Sequence, residues 1–282
     1  MITRQNFYLE VTDETSEQAR QLERKGFIHL PAVLNADEVA TLHASVTTAF
    51  ETYEGDVRGE LSEEERDDFR YEMLNRSAAV QDLVSDRRIL DVVEPLLGED
   101  CHVISNTAWR NPPRIENEHA GGNWHMDAGP HVPRPAGVPW DDRIPYPIFA
   151  IAIHVYLKDC PIECGPTEVI PGSHRSGRGV PLDRAFDNDL DHDGTTGQVL
   201  PAAAGDLVLF ASDIWHRRHP TSPGDHGRFF VQIHYGRRDL AQRIRTTRDA
   251  NHLSDAAIKR AKAGDFRART VVGLHPPFFY DG

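Results

Sequence analysis

GDLVLFASDIWHRRHP, residues 205 to 220, opens on a Gly-Asp turn signal, runs through five apolar residues and, past a Ser-Asp break, reaches two histidines. An apolar run of that length between turn residues reads as a short strand. Five more β-rich runs follow the same plan: CHVISNTAW (101–109), PIFAIAIHVYL (147–157), TEVIPG (167–172), GQVLPA (197–202) and RFFVQIHYG (228–236). Gly, Pro and Asp clusters separate them, and many short strands with turn signals predict a sandwich or barrel. Upstream, ADEVATLHASVTTAFETYE (36–54) and RRILDVVEPLLGED (87–100) carry apolar residues at three and four spacing, which predicts helices, with FIHLPAVL (27–34) as a short strand between them. The chain reads as one domain: a mostly helical support over 1–100, a strand-rich core over 101–236, and a C-terminal helix (SDAAIKRAKAG) and tail over 237–282.

At 282 residues and 39% hydrophobic composition the chain can bury a substantial core. No apolar run approaches the roughly 20 residues of a membrane span. The opening MITRQNFYLEVTDETSEQ lacks the basic and apolar regions of a secretory signal, so a cytoplasmic protein is expected. The net charge of −13 argues against nucleic acid as a partner. Cys101, Cys160 and Cys164 read as free thiols, too few for a structural zinc site. A monomer or weak homodimer acting on a small molecule is expected.

Two long loops stand out, and both read as active-site loops. Residues 111–147 include the proline-crowded PHVPRPAGVPWDDRIPYP. Residues 183–194, DRAFDNDLDHDG, imitate the opening of a calcium loop with Asp189, Asp191, Asp193 and Gly194, but Leu200 stands where its closing Glu belongs.

Inside the first loop, GGNWHMDAGPH (121–131) places His125 and Asp127 two apart in a stretch too rich in glycine and proline for a helix. On an extended backbone both side chains point the same way and can converge on one point. A metal site needs a third ligand, and His216 and His219 in the later strand both offer one. Two histidines and a carboxylate on one face of an octahedron leave three positions open, the arrangement of non-haem iron(II) enzymes. Oxygen chemistry there commonly draws electrons from a chelating 2-oxo acid, whose far carboxylate needs a fixed cation. Arg228, twelve residues after His216, is placed to supply it through its planar donor fork.

WHMD (124–127), CGPTEVIPGSH (164–174), GDLVLFASDIWH (205–216) and Arg228 together resemble the phytanoyl-CoA dioxygenase family of iron(II)/2-oxoglutarate oxygenases. VIPGSH is the most distinctive piece. The resemblance implies a mainly β double-stranded β-helix, or jelly roll, with flanking helices. It implies His125, Asp127 and His216 as iron ligands, Arg228 as the clamp for the 2-oxoglutarate C5 carboxylate, and Thr167 as a further contact to that co-substrate. His216 is preferred to His219 because it lies six residues after Phe210, as the family pattern requires. PGSH reads as structural, and His174 is not taken as a ligand. His154, which shares a strand face with Ala152 and Tyr156, is a candidate for lining the cavity, as are Asn106, Trp109 and Trp124.

The expected activity is 2-oxoglutarate- and O₂-dependent hydroxylation or oxidation of a small polar substrate, releasing succinate and CO₂. Asp127 fills the place that iron halogenases leave to chloride, so halogenation is not expected. Glu116, Glu118, Asp141 and Asp142 in one loop, and Asp183, Asp187, Asp189 and Asp191 in the other, suggest a cationic substrate such as an amino sugar or amine-bearing secondary metabolite. The rival readings are a cupin-like isomerase or hydrolase and a non-catalytic jelly-roll binding module.

Overall fold

The computed structural model describes residues 15–53, 69–114, 121–242 and 253–276. Its larger sheet has six strands: β1 (Phe27–Leu30), β2 (Phe69–Tyr71), β3 (His102–Asn111), β4 (Ala150–Tyr156), β9 (Leu207–Ala211) and β11 (Arg228–Gly236). They run antiparallel in the order β1-β9-β4-β11-β3-β2. The smaller sheet pairs β10 (His216–Arg218) with β5 (Thr167–Val169) and β5 with β8 (Gln198–Leu200). Between β5 and β8 lies a short hairpin of β6 (Asp191–His192) and β7 (Thr195–Thr196).

Alternation along the strands creates two faces, each buried by different partners. Ala152, Tyr156, Val208, Phe210 and Phe230 from the large sheet pack with Val169 and Leu200 from the small one, so the two sheets face each other across this inner core. Ile151, Ile153, Val155, Leu207, Leu209, Val231 and Ile233 point the other way, into a larger cluster shared with the helices. This double coverage is why all seven residues of β4 are buried. His154 lies on the inner face, in register with Gln232 and Val208.

The outer layer consists of α1 (Glu17–Lys25), α2 (Ala36–Thr52), α3 (Met73–Arg76), α4 (Ala78–Leu83), α5 (Arg87–Leu97), α6 (Asp255–Ala263) and α7 (Phe266–Thr270). Asn35 and Glu38 start α2 with a reciprocal capping box, and Ser16 caps α1. In α5, Ile89, Leu90, Val92, Val93, Leu96 and Leu97 are buried, each contributing about 1.5–3 kcal/mol of transfer free energy. Gly26 ends α1 at φ 81°, and a Cβ there would lie 2.4 Å from His174 Nδ1. His174 Nε2 donates to Glu23 O at 2.9 Å, and Ser173 Oγ donates to Ile170 O while accepting from Trp215 N. The PGSH turn thus joins α1 to the small sheet, with His174 serving the fold.

Within the first hundred residues the strand expected at 27–34 is present as β1, and β2, which was not expected, adds a further edge strand to the large sheet. Among the described residues, no helix is long and apolar enough to cross a membrane. All three cysteines are buried and free.

Candidate metal centre

The segment carrying His125 runs beside β10: His125 N donates to His216 O, and His216 N donates back to His125 O, both at 2.9 Å. This bridge places the two imidazoles on one side with ring centroids 4.3 Å apart. Asp127, two residues on, joins them, and one donor atom from each of the three lies within 4.8 Å of the others. Asp127 Oδ1 is 3.6 Å from His216 Nε2.

Backbone carbonyls fix which nitrogen each histidine presents. His125 Nδ1 donates to Asn123 O at 2.9 Å, and His216 Nδ1 donates to Ile214 O at 3.1 Å. Each ring therefore offers the Nε2 lone pair. The other Asp127 oxygen, Oδ2, accepts from His234 Nε2 at 2.9 Å. Burial works against the Asp127 charge, but the His216 and His234 imidazoles outweigh it and hold the carboxyl well below its usual range. Two imidazole nitrogens and one carboxylate oxygen, with His125 exposed, suit a divalent first-row metal.

His219 takes no part. Alternation along β10 sends His216 and Arg218 inward and Arg217 outward, and His219 Nδ1 donates to Glu168 Oε2 at 3.0 Å. Glu168 also accepts from Arg217 Nε at 2.7 Å, and both are buried. Arg217 reaches Asn188 Oδ1 at 2.8 Å and lies over the Trp124 ring.

This outer network corrects two expectations. Trp124 points away from His125 and packs with Ile170, Leu190 and Trp215, while its Nε1 donates to Asp187 O at 2.8 Å. Trp124 is thus an anchor for residues 185–190 rather than a substrate contact, because neighbours on an extended segment face opposite ways. The 183–194 loop accordingly covers the outer side of the small sheet, and Asp191 Oδ2 is occupied in its hairpin turn by Gly194 N. Asn106 is likewise turned outward, accepting from Leu74 N at 2.8 Å at the start of the helical layer. It does not reach the cavity face.

The remaining expected groups meet at the other end of the inner core. Arg228 Nε donates to Asn111 Oδ1 at 2.6 Å, and Nη1 donates to Gly165 O at 3.1 Å. Arg218 Nη2 approaches the preceding carbonyl, Cys164 O, at 3.4 Å, so the two guanidiniums meet successive carbonyls of one turn. Gly165 permits this approach: its φ is +66°, and a Cβ would lie 3.0 Å from Arg218 Nε and 2.5 Å from His219 O. Burial and the Arg228 charge push the Arg218 pKa down to about 9. Thr167, the cross-strand partner of Arg218, has its Oγ1 2.9 Å from His154 Nδ1 and 3.4 Å from Tyr156 Oη. His154 lies between Phe210 and Phe230, with its Nε2 buried and unpartnered. Burial and the Arg228 charge keep the His154 imidazole neutral, well below its usual pKa.

His234, Gln232, Asn111 and Arg218 were not singled out from the sequence. Alternation from Arg228 through Phe230 and Gln232 to His234 was the available signal.

The family model for phytanoyl-CoA dioxygenase (PhyH) matches residues 22–227. The chain belongs to this family. Ectoine dioxygenase from Sphingopyxis alaskensis (strain DSM 13593 / LMG 18877 / RB2256) is 28% identical over 166 residues, 57% of this chain and 50% of that protein. The match therefore spans half the length of that relative. Among solved structures, EctD from S. alaskensis with bound Fe superposes with a TM-score of 0.63 at 22% identity, covering 85% of this chain and 84% of that one. The epimerase SnoN from nogalamycin biosynthesis, in complex with Fe3+, alpha ketoglutarate and nogalamycin RO, gives 0.62 at 19% identity, covering 84% and 92%. HygX from Streptomyces hygroscopicus, with nickel and 2-oxoglutarate, gives 0.58 at 17% identity, covering 88% and 94%. At these identities the structural likeness establishes the fold, the PhyH double-stranded β-helix.

Proposed function

We propose that this PhyH-family chain is a non-haem iron(II)- and 2-oxoglutarate-dependent dioxygenase that hydroxylates or otherwise oxidises a small polar substrate. The observation that carries this reading is the convergence of His125, Asp127 and His216, with both Nδ1 atoms tied to carbonyls and the ligand atoms within 4.8 Å. His125 Nε2, His216 Nε2 and an Asp127 oxygen would hold iron(II). Bound iron and 2-oxoglutarate would supply the oxidising power that breaks a substrate C–H bond, with release of succinate and CO₂.

The chain's own residues set the conditions for that chemistry. Arg228, assisted by Arg218 and the Thr167 hydroxyl, makes a cationic end suited to the C5 carboxylate of 2-oxoglutarate. Phe210, Phe230, Tyr156 and neutral His154 form a dry wall between that end and the metal ligands. His234 keeps one Asp127 oxygen occupied and so leaves the other for the metal.

Part of the loop acidity that suggested a cationic substrate is met by arginines. Asp141 pairs with Arg143, Asp142 with Arg175, and Asp187, Asp189 and Asp191 share Arg184, while Asp183 has no ion pair among the described residues and Glu116 and Glu118 lie outside them. Substrate choice is assigned instead to polar groups of the inner face, and an amino sugar or other secondary metabolite remains one class within the small polar range.

The decisive experiment is anaerobic addition of 2-oxoglutarate to the iron(II) protein, followed by admission of oxygen. A visible charge-transfer band, then iron-dependent succinate release, is the expected result. Folded protein that binds iron but gives neither band nor succinate excludes the reading.

A further inference from the structure

Gln232 sits at the centre of the inner face of β11, between Arg228 and Phe230 on one side and His234 on the other, and is in register with His154 on β4 and Thr107 on β3. Its amide has a fixed orientation. The Trp109 indole Nε1 is a donor only, and it lies 2.9 Å from Gln232 Oε1; the Thr107 hydroxyl approaches the same oxygen at 3.4 Å. The side-chain NH₂ must therefore point away from Trp109. Trp109 pairs with Phe230 and so lies toward the Arg228 end, whereas the next inward residue of β11 on the other side of Gln232 is His234, which holds Asp127. Among the described residues no protein acceptor meets that NH₂. Trp109 itself is stacked on Phe69 and close to parallel with Phe230, so the group that orients the amide is fixed in turn.

We propose that Gln232 is a positioning residue whose NH₂ donates to the metal-binding C1 carboxylate of 2-oxoglutarate. The inference rests on the dioxygenase reading above and adds a second anchor, at the opposite end of the co-substrate from Arg228. An oriented amide donor there would hold one oxygen of that carboxylate in a single position. It exerts this effect without adding a charge next to Asp127.

The test separates positioning from a structural role. Gln232→Glu keeps an oxygen for Trp109 Nε1 and Thr107 Oγ1 but replaces the NH₂ with an acceptor. The variant should retain the wild-type melting temperature and iron affinity. In anaerobic titrations of the iron(II) protein its dissociation constant for 2-oxoglutarate should rise about 30-fold or more, as expected for losing a hydrogen bond to a carboxylate, and the charge-transfer band should move. Gln232→Leu should weaken 2-oxoglutarate and also loosen Trp109, seen as a change in tryptophan fluorescence. Binding by Gln232→Glu within twofold of wild type, with an unmoved band, overturns the proposal and leaves the dioxygenase reading intact. Absence of any band in the wild type removes that reading, and this inference with it.

Discussion

His234 donates from Nε2 to Asp127 Oδ2 at 2.9 Å, while Asp127 Oδ1 faces His216 Nε2 at 3.6 Å. The carboxylate is thereby divided between a protein partner and the metal position. Removing the donor with His234→Phe should lower iron(II) affinity about 10- to 100-fold, the usual effect of losing such an outer partner. His234→Gln, which can still donate, should recover most of it. Anaerobic competition with a chelator measures both, and equal affinities for wild type and His234→Phe would refute the assignment.

The outward turn of His219 gives a contrast with His216. His216→Ala should abolish iron binding, whereas His219→Ala should keep it and lose only about 1 kcal/mol of stability, since Glu168 retains its Arg217 partner. Iron content after reconstitution, with urea unfolding, reads the two effects separately. The reverse pattern of iron contents would mean that the third ligand is His219.

Arg228 should act on the co-substrate. Arg228→Ala should raise the Michaelis constant for 2-oxoglutarate at least about 10-fold, with iron affinity unchanged, because a charge-assisted bond contributes about 1.5–3 kcal/mol. The Michaelis constant for the organic substrate should move much less. An unchanged 2-oxoglutarate constant would exclude Arg228 from the clamp.

Acid sensitivity should come partly from His174, which is buried between Tyr146 and Gly26 with its pKa lowered to about 4, chiefly by burial. In the unfolded chain its pKa returns to about 6.5, so the unfolded state gains the proton first as pH falls. The stabilising preference for neutral His174 is fully present above about pH 6.5 and is lost between there and about pH 4, below which the native state also protonates. From pH 7 to 5 this amounts to about 2 kcal/mol. His174→Gln, though less stable at neutral pH, should show a correspondingly flatter loss in urea titrations at the two values. Parallel losses in both proteins would show that His174 does not contribute.

Local patterns determined much of this protein. Short β runs between turn residues, the three-four spacing of ADEVATLHASVTTAFE and RRILDVVEPLL, and the cap residues before them are nearest-neighbour effects, so the strands and long helices were legible. So was the pairing of His125 with Asp127, because two residues on extended backbone must share a face. Tertiary structure alone decided the rest. A given alternation does not say which face meets the second sheet and which meets the helices, so Asn106 and Trp124 could be named as cavity residues although packing turns them outward. Nor can sequence distance show that 107 residues separate two groups in hydrogen-bond contact, as with Asp127 and His234. The acidic loops carry less free charge than their sequence count for a related reason: charge counted along the chain omits the arginines that folding brings alongside, Arg175 against Asp142 and Arg184 against Asp191. Backbone periodicity acts over a few residues, whereas register between strands distant in sequence depends on burial of the whole core, and that register is what aims Gln232, His234 and Arg228 into one cavity.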